Sequence, residues 1–508
     1  MTTGASQQPV IDFLSDPANY GAAPVKRIDT HAALVFLTGE RALKIKRAVR
    51  FPFLDFSTLK KRRIACEAEI AVNRAFAPSI YRRVVPITRG LDGRFAVGGK
   101  GEPVEWAVEM RRFDESQTLD YLADAGQIGE TLADALGLAV AAAHRSAPTV
   151  AHAHFTDALA EIISQNEAEL AAEPELFSLQ ALHDLTNATR EAFERVEPLL
   201  VARERAGLVR RCHGDLHLGN IVLIDGKPVL FDAIEFDDRI ATGDVLYDLA
   251  FLLMDLIERE LHRPANIVFN RYLTDSQRIH DLEALVALPL FMSVRAVIRA
   301  KVTAALRWQS SSNGELANNA RDYAALAQEL LTPAKPRLIA IGGLSGTGKS
   351  LLARALAPSF PPLPGAVVFR SDVERKILFG ARENERLPQA AYTTEATARV
   401  YAVLAEKARR VVTAGHSAIV DAVFAQPSER GGIAKVDSAA FEGLFLTASL
   451  ETRLSRVGSR SNDASDADTI VAHKQEDFDL GHINWTKVDA SGTPEETLIR
   501  AKAMLGVE

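Results

Sequence analysis

Apolar and polar positions near the start of the chain alternate in short blocks, and the blocks lengthen further on. Three apolar runs have the length and β-branched content of strands: residues 25–28, 32–37 and 42–46. A helical period of apolar positions follows over residues 59–76. Residues 1–24 show no strong period and are expected to be a polar lead-in. The pattern predicts a small sheet followed by an amphipathic helix.

Longer helical patterns fill the middle of the chain. They are predicted over residues 132–144, 155–200, 249–261, 267–273 and 282–308. Two prolines then fall within residues 332–336, Thr-Pro-Ala-Lys-Pro, which we expect to be a linker. Beyond it, short apolar runs alternate with helical segments, as in a parallel sheet whose strands are joined by helices. We therefore predict two domains, residues 1–331 and 337–508.

A strand pattern returns briefly between the helical blocks, where residues 221–224 and 229–231 form two apolar runs. Asp225-Gly226 between them is a strong hairpin signal. Pro228 cannot donate a hydrogen bond to a partner strand, so a turn longer than two residues is open and the register is uncertain by about one residue. In either register, the outer ends of the hairpin meet.

Side chains with oxygen atoms stand at those outer ends. Asn220 precedes the first run and Asp232 follows the second, which brings an amide oxygen and a carboxylate together. These are hard oxygen ligands of the kind that Mg²⁺ prefers. Asp215 lies just upstream, where a carboxylate can accept the proton of a hydroxyl group. The segment therefore has the composition of a centre for phosphoryl transfer.

The stretch from His213 to Asp232 reads His-Gly-Asp-Leu-His-Leu-Gly-Asn, then two apolar strands and Asp. It resembles the catalytic loop and metal site of the protein-kinase superfamily. Gly214 stands where protein kinases have Arg, which makes the stretch similar to aminoglycoside phosphotransferases and choline kinases. That Arg pairs with a phosphorylated activation loop, so its absence favours a small acceptor. The resemblance implies that Asp215 is the catalytic base and that Asn220 and Asp232 bind Mg²⁺.

The same resemblance implies a first lobe at about residues 25–112 and a second at about 113–331. Lys44 and Lys46 lie two apart on a predicted strand and project to one face, where either can reach nucleotide phosphates. We favour Lys46 slightly, and the choice stays open. Glu69 is the expected partner of the lysine, because its spacing to a later Phe-Ala step fits the phosphotransferase pattern. A Gly-rich phosphate loop is missing from this lobe.

A second phosphate-binding pattern follows the linker. An apolar strand over residues 337–341 leads into Gly-Leu-Ser-Gly-Thr-Gly-Lys-Ser and a helix over residues 351–357, which is a full Walker A sequence in its required setting. Its glycines let backbone N–H groups surround phosphate oxygens. Lys349 reaches the terminal phosphates and Ser350 can bind Mg²⁺. The residues predicted to bind nucleotide here are Gly343, Ser345, Gly346, Thr347, Gly348, Lys349 and Ser350.

Three further strands are predicted in this part of the chain, at residues 367–369, 417–420 and 444–447. With the Walker A sequence they resemble the small-molecule P-loop kinases, among them gluconate kinase, chloramphenicol phosphotransferase and the zeta toxins. The resemblance implies that Asp372 is a catalytic residue at the acceptor hydroxyl and that Asp421 is the Walker B carboxylate, a metal ligand. Arg456 and Arg460 are expected to belong to a lid that closes on the phosphates.

Composition adds exclusions. With 508 residues, of which 47% are hydrophobic and 25% charged, the chain has the make-up of an ordinary folded protein. A net charge of -7 offers no general attraction for nucleic acid or anionic lipid, so neither is an expected partner. Cys66 and Cys212 are too few for a disulfide framework. Secretory and membrane-spanning patterns are absent, which favours a cytoplasmic location.

We predict an α+β two-lobed protein-kinase-like domain followed by an α/β P-loop NTPase domain with a parallel sheet. The expected function is that of a bifunctional phosphotransferase that uses ATP and Mg²⁺ and transfers the γ-phosphate to hydroxyl groups of small molecules at two separate sites. The alternative is a regulatory ATPase, in which one domain binds ligand and the other hydrolyses ATP. A kinase acting on protein or nucleic acid is disfavoured. The sequence does not identify the acceptor or the oligomeric state.

Overall fold

The computed structural model describes residues 7–51, 54–307, 313–436, 440–458 and 464–507. Their strands are β1 (Val25–Asp29), β2 (Ala33–Thr38), β3 (Arg41–Lys46), β4 (Arg50–Phe51), β5 (Leu54–Asp55), β6 (Tyr81–Arg89), β7 (Phe95–Val97), β8 (Glu102–Arg111), β9 (Val209–Arg211), β10 (Ile221–Ile224), β11 (Lys227–Leu230), β12 (Thr242–Asp244), β13 (Arg337–Gly343), β14 (Val367–Arg370), β15 (Ala418–Asp421), β16 (Ala440–Thr447) and β17 (Thr486–Asp489).

The helices of the same residues are α1 (Gln8–Ser15), α2 (Leu59–Phe76), α3 (Leu119–Asp124), α4 (Glu130–Ser146), α5 (Phe155–Ala171), α6 (Leu179–Arg205), α7 (Asp238–Ala241), α8 (Val245–Glu258), α9 (His262–Ser276), α10 (Ile279–Glu283), α11 (Leu288–Leu306), α12 (Asn313–Leu330), α13 (Lys349–Leu356), α14 (Ser371–Leu378), α15 (Thr394–Thr413), α16 (Pro427–Ala434), α17 (Leu450–Gly458), α18 (Thr469–Lys474) and α19 (Pro494–Leu505). Among the described residues, no helix combines the length and apolar character that crossing a membrane requires.

The chain forms two compact units. The first runs to Ile162 and takes in Leu200–Asp255, and the second consists of Ile163–Leu199 and the chain from Leu256 onward. Helices α9 to α12 therefore group with the C-terminal sheet, although they precede residues 332–336. The predicted domain boundary at those residues stays a prediction.

The first unit contains an antiparallel sheet in the order β1-β2-β3-β8-β6-β7. Helix α2 begins after Thr58, whose hydroxyl accepts a hydrogen bond from the N–H of Lys61, and it packs its apolar stripe on this sheet. The opposite face is covered by α1, whose Val10 and Leu14 are buried. Residues 1–24 were expected to be a polar lead-in, and helix α1 within them was not predicted. Two apolar positions four apart are too few to give a visible period.

Strands β10 and β11 form the predicted hairpin, and its register is now determined. Ile224 pairs with Lys227, so the turn consists of two residues. Asp225 and Gly226 have φ angles of 52° and 74°, the left-handed conformation at both positions that a type I′ turn requires. Pro228 lies opposite Leu223 without lengthening the turn.

The second unit is built on a five-stranded sheet in the order β14-β15-β13-β16-β17, and all of its strand pairs are parallel, as the alternation of strands and helices predicted. The core between the sheet and its helices is aliphatic and includes Ile339, Ile341, Ile419, Leu444 and Leu446. Because parallel strands end at one edge, the loops after β13, β14 and β15 lie on the same side of the sheet.

Helix α9 closes the β14 edge of this sheet. Asn270 donates from its amide nitrogen to the carbonyl of Ala366 at 3.1 Å and accepts at its oxygen from the N–H of Val368 at 2.7 Å. Asn266 also donates to the Ala366 carbonyl, at 3.1 Å. Side-chain amides thus take the place that a neighbouring strand would have along β14.

Candidate active sites

The loop that carries Asp215 is held by a buried carboxylate of helix α8. Asp248 accepts hydrogen bonds from the backbone N–H groups of Gly214 at 2.8 Å and His213 at 3.3 Å. Its Oδ2 atom also lies 3.0 Å from Nε2 of the buried His144. With three polar neighbours, Asp248 fixes the backbone on which Asp215 stands.

A second carboxylate of the same helix holds the next part of the loop. Asp255 accepts a hydrogen bond from the N–H of Leu218 at 2.8 Å. We did not predict this role for Asp255 or the anchoring role of Asp248. The signal was available, because two acidic residues seven apart in an otherwise apolar helix lie on one face and need partners when buried.

Asp215 and Asn220 are in direct contact, whereas the sequence predicted that Asn220 meets Asp232. The amide nitrogen of Asn220 donates to the Asp215 carboxylate at 3.0 Å and to its carbonyl at 2.9 Å. The Asp215 side chain is 40% exposed, so its carboxylate is accessible to an acceptor from solution. Nε2 of His217 lies 3.5 Å from the same carboxylate.

Both candidate lysines contact Glu69. Lys44 Nζ lies 2.9 Å from one carboxylate oxygen and Lys46 Nζ lies 2.6 Å from the other. Of the two lysines, Lys44 also reaches Asp232, at 2.6 Å, which favours Lys44 over Lys46 as the lysine beside this predicted metal ligand. Burial opposes ionisation of Glu69, but the two lysines outweigh it and lower the pKa of Glu69 to about 2. Burial likewise opposes the charge of Lys44, whose pKa is nevertheless raised by Asp232 and Glu69.

Asp232 is positioned by the backbone around it. Its N–H donates to the hydroxyl of Tyr81 at 3.1 Å. The next residue, Ala233, is held at both its polar backbone atoms by the buried Asn73 of α2, at 2.7 Å and 3.0 Å. The Asn73 contact was not predicted, because nothing in the local pattern of α2 distinguishes this asparagine from a surface residue.

The predicted Walker A residues lie in the loop between β13 and α13. Gly346 has a φ of +87°, and a β-carbon there would lie 2.6 Å from the carbonyl oxygen of Arg453, so the position requires glycine. Lys349 Nζ donates to the carbonyl of Leu344 at 3.2 Å, across the loop. The N-terminus of α13 follows directly, and the N-terminus of a helix suits a phosphate.

Two carboxylates, those of Asp372 and Asp421, stand at the ends of β14 and β15 near the Walker A sequence. Ser350 Oγ donates to Asp421 at 2.5 Å, and Arg370 Nε lies 3.6 Å from the same carboxylate. Asp372 follows Arg370 at the start of α14. Burial, and then the negative charge of Asp421, raise the pKa of Asp372.

An arginine that we did not place in the site contacts the Walker A loop. Arg453 is buried, donates to the carbonyl of Ser345 at 2.9 Å and pairs with Glu476. Gln475 accepts from the N–H of Ser345 at 2.7 Å. Helix α17 and the segment after α18 thus hold the backbone of the Walker A loop at Ser345 through these hydrogen bonds. The spacing of arginines along α17 indicated a role for the helix, but not which arginine is turned inward.

Two arginines were predicted to belong to a lid over the phosphates. Arg456 donates to the carbonyls of Ala490 at 2.8 Å and Gly492 at 2.7 Å, which ties it to the loop after β17. Arg460 lies outside the described residues. The role of both arginines at the phosphates stays a prediction.

The acidic segment that follows these arginines covers the region around Asp372. Asp466 lies 2.9 Å from Lys376 Nζ, and it accepts from the hydroxyl of Tyr392 at 2.5 Å and the N–H of Leu387 at 3.0 Å. Its neighbour Ser465 donates a hydrogen bond to Asp372. The segment is therefore tied down on both sides of the Asp372 carboxylate.

Each site has a donor set that suits a divalent cation. In the first, the described hydrogen bonds of Asn220 use its nitrogen, and the Asp232 carboxylate is 40% exposed. In the second, the 2.5 Å contact between Ser350 and Asp421 places two oxygen ligands within reach of one ion. Carboxylate, amide and hydroxyl oxygens are ligands that Mg²⁺ accepts.

Two protein families match the chain. The phosphotransferase enzyme family matches residues 36–282, and an AAA domain matches residues 338–478. Together they define the class: an enzyme that transfers phosphate by kinase-type chemistry and binds nucleotide. The predicted resemblance to aminoglycoside phosphotransferases and P-loop kinases is confirmed.

The chain as a whole has full-length relatives. Uncharacterized protein Rv2004c of Mycobacterium tuberculosis (strain ATCC 25618 / H37Rv) is 30% identical over 488 residues, which cover 93% of this chain and 94% of that protein. Uncharacterized protein Mb2027c of Mycobacterium bovis matches to the same extent. The chain therefore belongs to the family of these mycobacterial proteins, and it joins a phosphotransferase-family segment to an AAA domain.

Solved structures resemble the two parts separately. A choline/ethanolamine kinase family protein from Mesorhizobium loti is 15% identical, with a TM-score of 0.42, and covers 64% of this chain and 95% of its own. A gluconokinase from Sinorhizobium meliloti 1021 is 19% identical, with a TM-score of 0.26, and covers 34% of this chain and 93% of its own. These likenesses concern the fold alone. The predicted fold class, a kinase-like part followed by a P-loop part with a parallel sheet, is confirmed.

Proposed function

We propose that the protein is a bifunctional phosphotransferase that uses ATP and Mg²⁺ and phosphorylates hydroxyl groups of small molecules at two separate sites. The observation that carries the proposal is that each site combines a lysine, side-chain oxygen atoms suited to a cation and a carboxylate that can accept a proton. In the first site the Lys44–Asp232 distance is 2.6 Å, and in the second the Ser350–Asp421 distance is 2.5 Å.

In the first site, Asp215 would accept the proton of the acceptor hydroxyl. Its hydrogen bonds from Asn220 fix the direction of the carboxylate, and its exposure of 40% lets a small molecule approach. Lys44, held between Glu69 and Asp232, would bind the phosphates of ATP. A cation held by Asn220 and Asp232 would neutralise phosphate charge.

In the second site, Asp372 would take the same part. Its raised pKa keeps it a better base than an ordinary aspartate once it is ionised. Lys349 and the N–H groups at the start of α13 would bind the phosphates. Ser350 and Asp421 would hold the cation. The acidic segment at Asp466 would form one wall of the acceptor site.

The test is to incubate the protein with Mg·ATP and a fractionated metabolite extract, and to identify by mass spectrometry the compounds that gain a phosphate. Asp215→Asn should remove one product, since a general base contributes about 10²- to 10⁴-fold to the rate. Lys349→Met should remove another, because it takes away the lysine proposed to bind the phosphates in the second site. Asp225→Asn, in the exposed hairpin turn, and Lys435→Met, at the exposed end of α16, are the matched controls and should change neither.

Two other outcomes would count against the proposal. If both substitutions removed the same product, the chain would have one acceptor site rather than two. If ATP were consumed in every fraction without a phosphorylated small molecule, the regulatory ATPase would be the better account.

A further inference from the structure

Lys46 is enclosed by protein and has contacts that a phosphate-binding lysine does not need. Its ammonium group lies 2.6 Å from Glu69, hydrogen-bonds Glu235, and sits 5.4 Å from the centre of the Phe56 ring. The side chains of Lys46, Glu69 and Glu235 are 4%, 0% and 5% exposed. Lys44 already supplies the lysine that touches Asp232. Lys46 therefore needs an explanation other than direct contact with nucleotide.

Burying such a network is expensive unless its geometry serves a purpose. Each buried ion costs free energy because it loses its hydration, and hydrophobic side chains of the same volume are often as stable as a buried ion pair. A network of this kind fixes the position of its members more strictly than apolar packing does. Here the member whose position matters is Glu69, since it also holds Lys44 at 2.9 Å.

Glu235 connects this network to the segment after Asp232. It lies three residues beyond that metal ligand, in a stretch where Asn73 holds Ala233 and Arg211 donates to the carbonyl of Ile234 at 2.8 Å. In protein kinases, the corresponding segment is ordered when a phosphate on it pairs with an arginine of the catalytic loop. In this chain Gly214 replaces that arginine, so ordering must come from another ion pair.

We propose that Lys46 and Glu235 are positioning residues that form an internal lock, by which Glu69 and Lys44 are held ready to align ATP without phosphorylation of the protein. The lock rests on the function proposed for the first site and specifies how that site is kept active. Glu235 supplies a carboxylate from the segment after Asp232, and Lys46 joins it to the glutamate of α2. The first site is therefore constitutively assembled.

The experiment measures binding of ATP and of adenosine in the full-length protein with Lys349→Met, so that binding reports on the first site. Lys46→Met should weaken ATP binding at least about tenfold, and Glu235→Gln should do the same, since either breaks the lock. The double variant should be no weaker than the single variants. Adenosine binding should not change, because Lys44 aligns phosphates and not the base. Lys46→Arg should restore part of the loss.

The controls separate the lock from simple destabilisation. Arg63→Met removes an exposed ion pair with Glu67 on the same helix as Glu69 and should leave ATP binding unchanged. If Lys46→Met and Glu235→Gln lowered the melting temperature but left ATP affinity at 15 °C as in the parent, the network would be structural only and the lock would be wrong. Glutamine has nearly the same shape as glutamate, so Glu235→Gln leaves Lys46 paired with Glu69. This variant therefore decides the question even if Lys46→Met fails to fold.

Failure of the lock is distinguishable from failure of the proposed function. Lys44→Met tests the function itself and should weaken ATP binding in the same background. If Lys44→Met weakens it and the two lock variants do not, only the lock is overturned. If Lys44→Met has no effect, or if the parent binds no ATP, the first site is not a nucleotide site and the lock falls with it.

Discussion

At the scale of single residues, Asp372 is the group whose surroundings most directly set a pH dependence. Burial and the charge of Asp421 raise the pKa of its carboxyl, whereas the hydrogen bond from Ser465 lowers it. As a base it works only when ionised, so activity at the second site should rise as the pH increases through this raised pKa. The acid limb of the profile should therefore lie above that of an ordinary aspartate.

Replacing Ser465 with Ala tests this assignment. Without the hydroxyl that stabilises the ionised form, the pKa of Asp372 should rise further, and the acid limb for the product of the second site should move to higher pH. The pH profile of kcat/KM for that product is the measurement. Ser428→Ala, on the exposed surface of α16, should leave the limb where it is. A shift toward lower pH would contradict the role of Asp372 as base.

Asp248 carries a prediction of a different kind, because it acts through the backbone. The Asp248 carboxylate lies against the N–H groups of Gly214 and His213 and the ring of His144. In Asp248→Asn, the amide nitrogen, which cannot accept a hydrogen bond, would face at least one of these groups. We expect a loss of about 3 kcal/mol in the free energy of unfolding. The rate at the first site should fall by roughly 10²-fold through misplacement of Asp215.

Chemical denaturation measures the loss of stability in Asp248→Asn. The rate at which the product of the first site forms measures the loss of activity. Asp124→Asn, an exposed change at the end of α3, should alter neither quantity. Full activity in Asp248→Asn would mean that the catalytic loop does not depend on this anchor.

How much of the site was predictable depends on where its contacts originate. Asp215, Asn220 and Asp232 stand in or next to one hairpin, so the sequence alone was enough to propose that they belong to one site. Arg453 and Gln475 meet the Walker A loop from segments more than 100 residues away in the chain, and their own neighbourhoods carry no pattern that points there. Such contacts are set by tertiary packing, which a single sequence does not display.

At the scale of elements, the strands and helices with a strong period were predicted and the others were missed. Helix α2 spans the residues that its apolar period indicated. Strand β6 was overlooked because it alternates weakly and contains charged residues and Pro86, and β17 because it has four residues and one buried side chain. The hairpin at Asp225 was predicted from its sequence, whereas Pro228 left the length of the turn and the register open until the pairing was known.

Helix α9 supports a prediction about the edge of the parallel sheet. Asn270→Ala would remove the acceptor of the Val368 N–H and one donor to the Ala366 carbonyl. We expect a loss of about 1–3 kcal/mol, because backbone groups at a covered sheet edge would lose their partner. Strand β14 leads to Asp372, so the rate at the second site should fall as well.

Denaturant midpoints and turnover of the second product provide the measurement. Asn319→Ala, on the exposed face of α12, is the matched control and should be neutral. If Asn270→Ala were as stable as the parent, the hydrogen bonds of α9 would be replaceable by water and the edge would not need the helix.

At the scale of the whole molecule, the sequence suggests a cut at residues 332–336, while the compact units group helices α9 to α12 with the sheet that follows. Besides the asparagines, Arg271 lies 2.5 Å from Glu383 and Arg410 pairs with Glu283. Each of these contacts has one partner upstream of residue 337, namely Asn266, Asn270, Arg271 or Glu283. A fragment of residues 337–508 would lack all four.

We therefore expect a fragment of residues 256–508 to unfold at higher denaturant concentration and to bind ATP more tightly than one of residues 337–508. Both fragments contain the whole Walker A loop, so the difference reports on the added helices. Circular dichroism during urea unfolding and calorimetric titration with Mg·ATP are the measurements. Equal midpoints would show that the linker is a true folding boundary.

The asparagines of α9 have a consequence for how such a chain can change over generations. They bond to the backbone of β14, and any residue except proline offers the same N–H and carbonyl groups. These hydrogen bonds therefore place no demand on the side chains of β14, while they do depend on Asn266 and Asn270. A P-loop segment taken from a stand-alone kinase would still find hydrogen-bond partners in α9 for its edge strand. A phosphotransferase segment without these two asparagines would not supply them. The upstream segment of the fusion carries the compatibility, so exchange of the two segments among relatives should be one-sided.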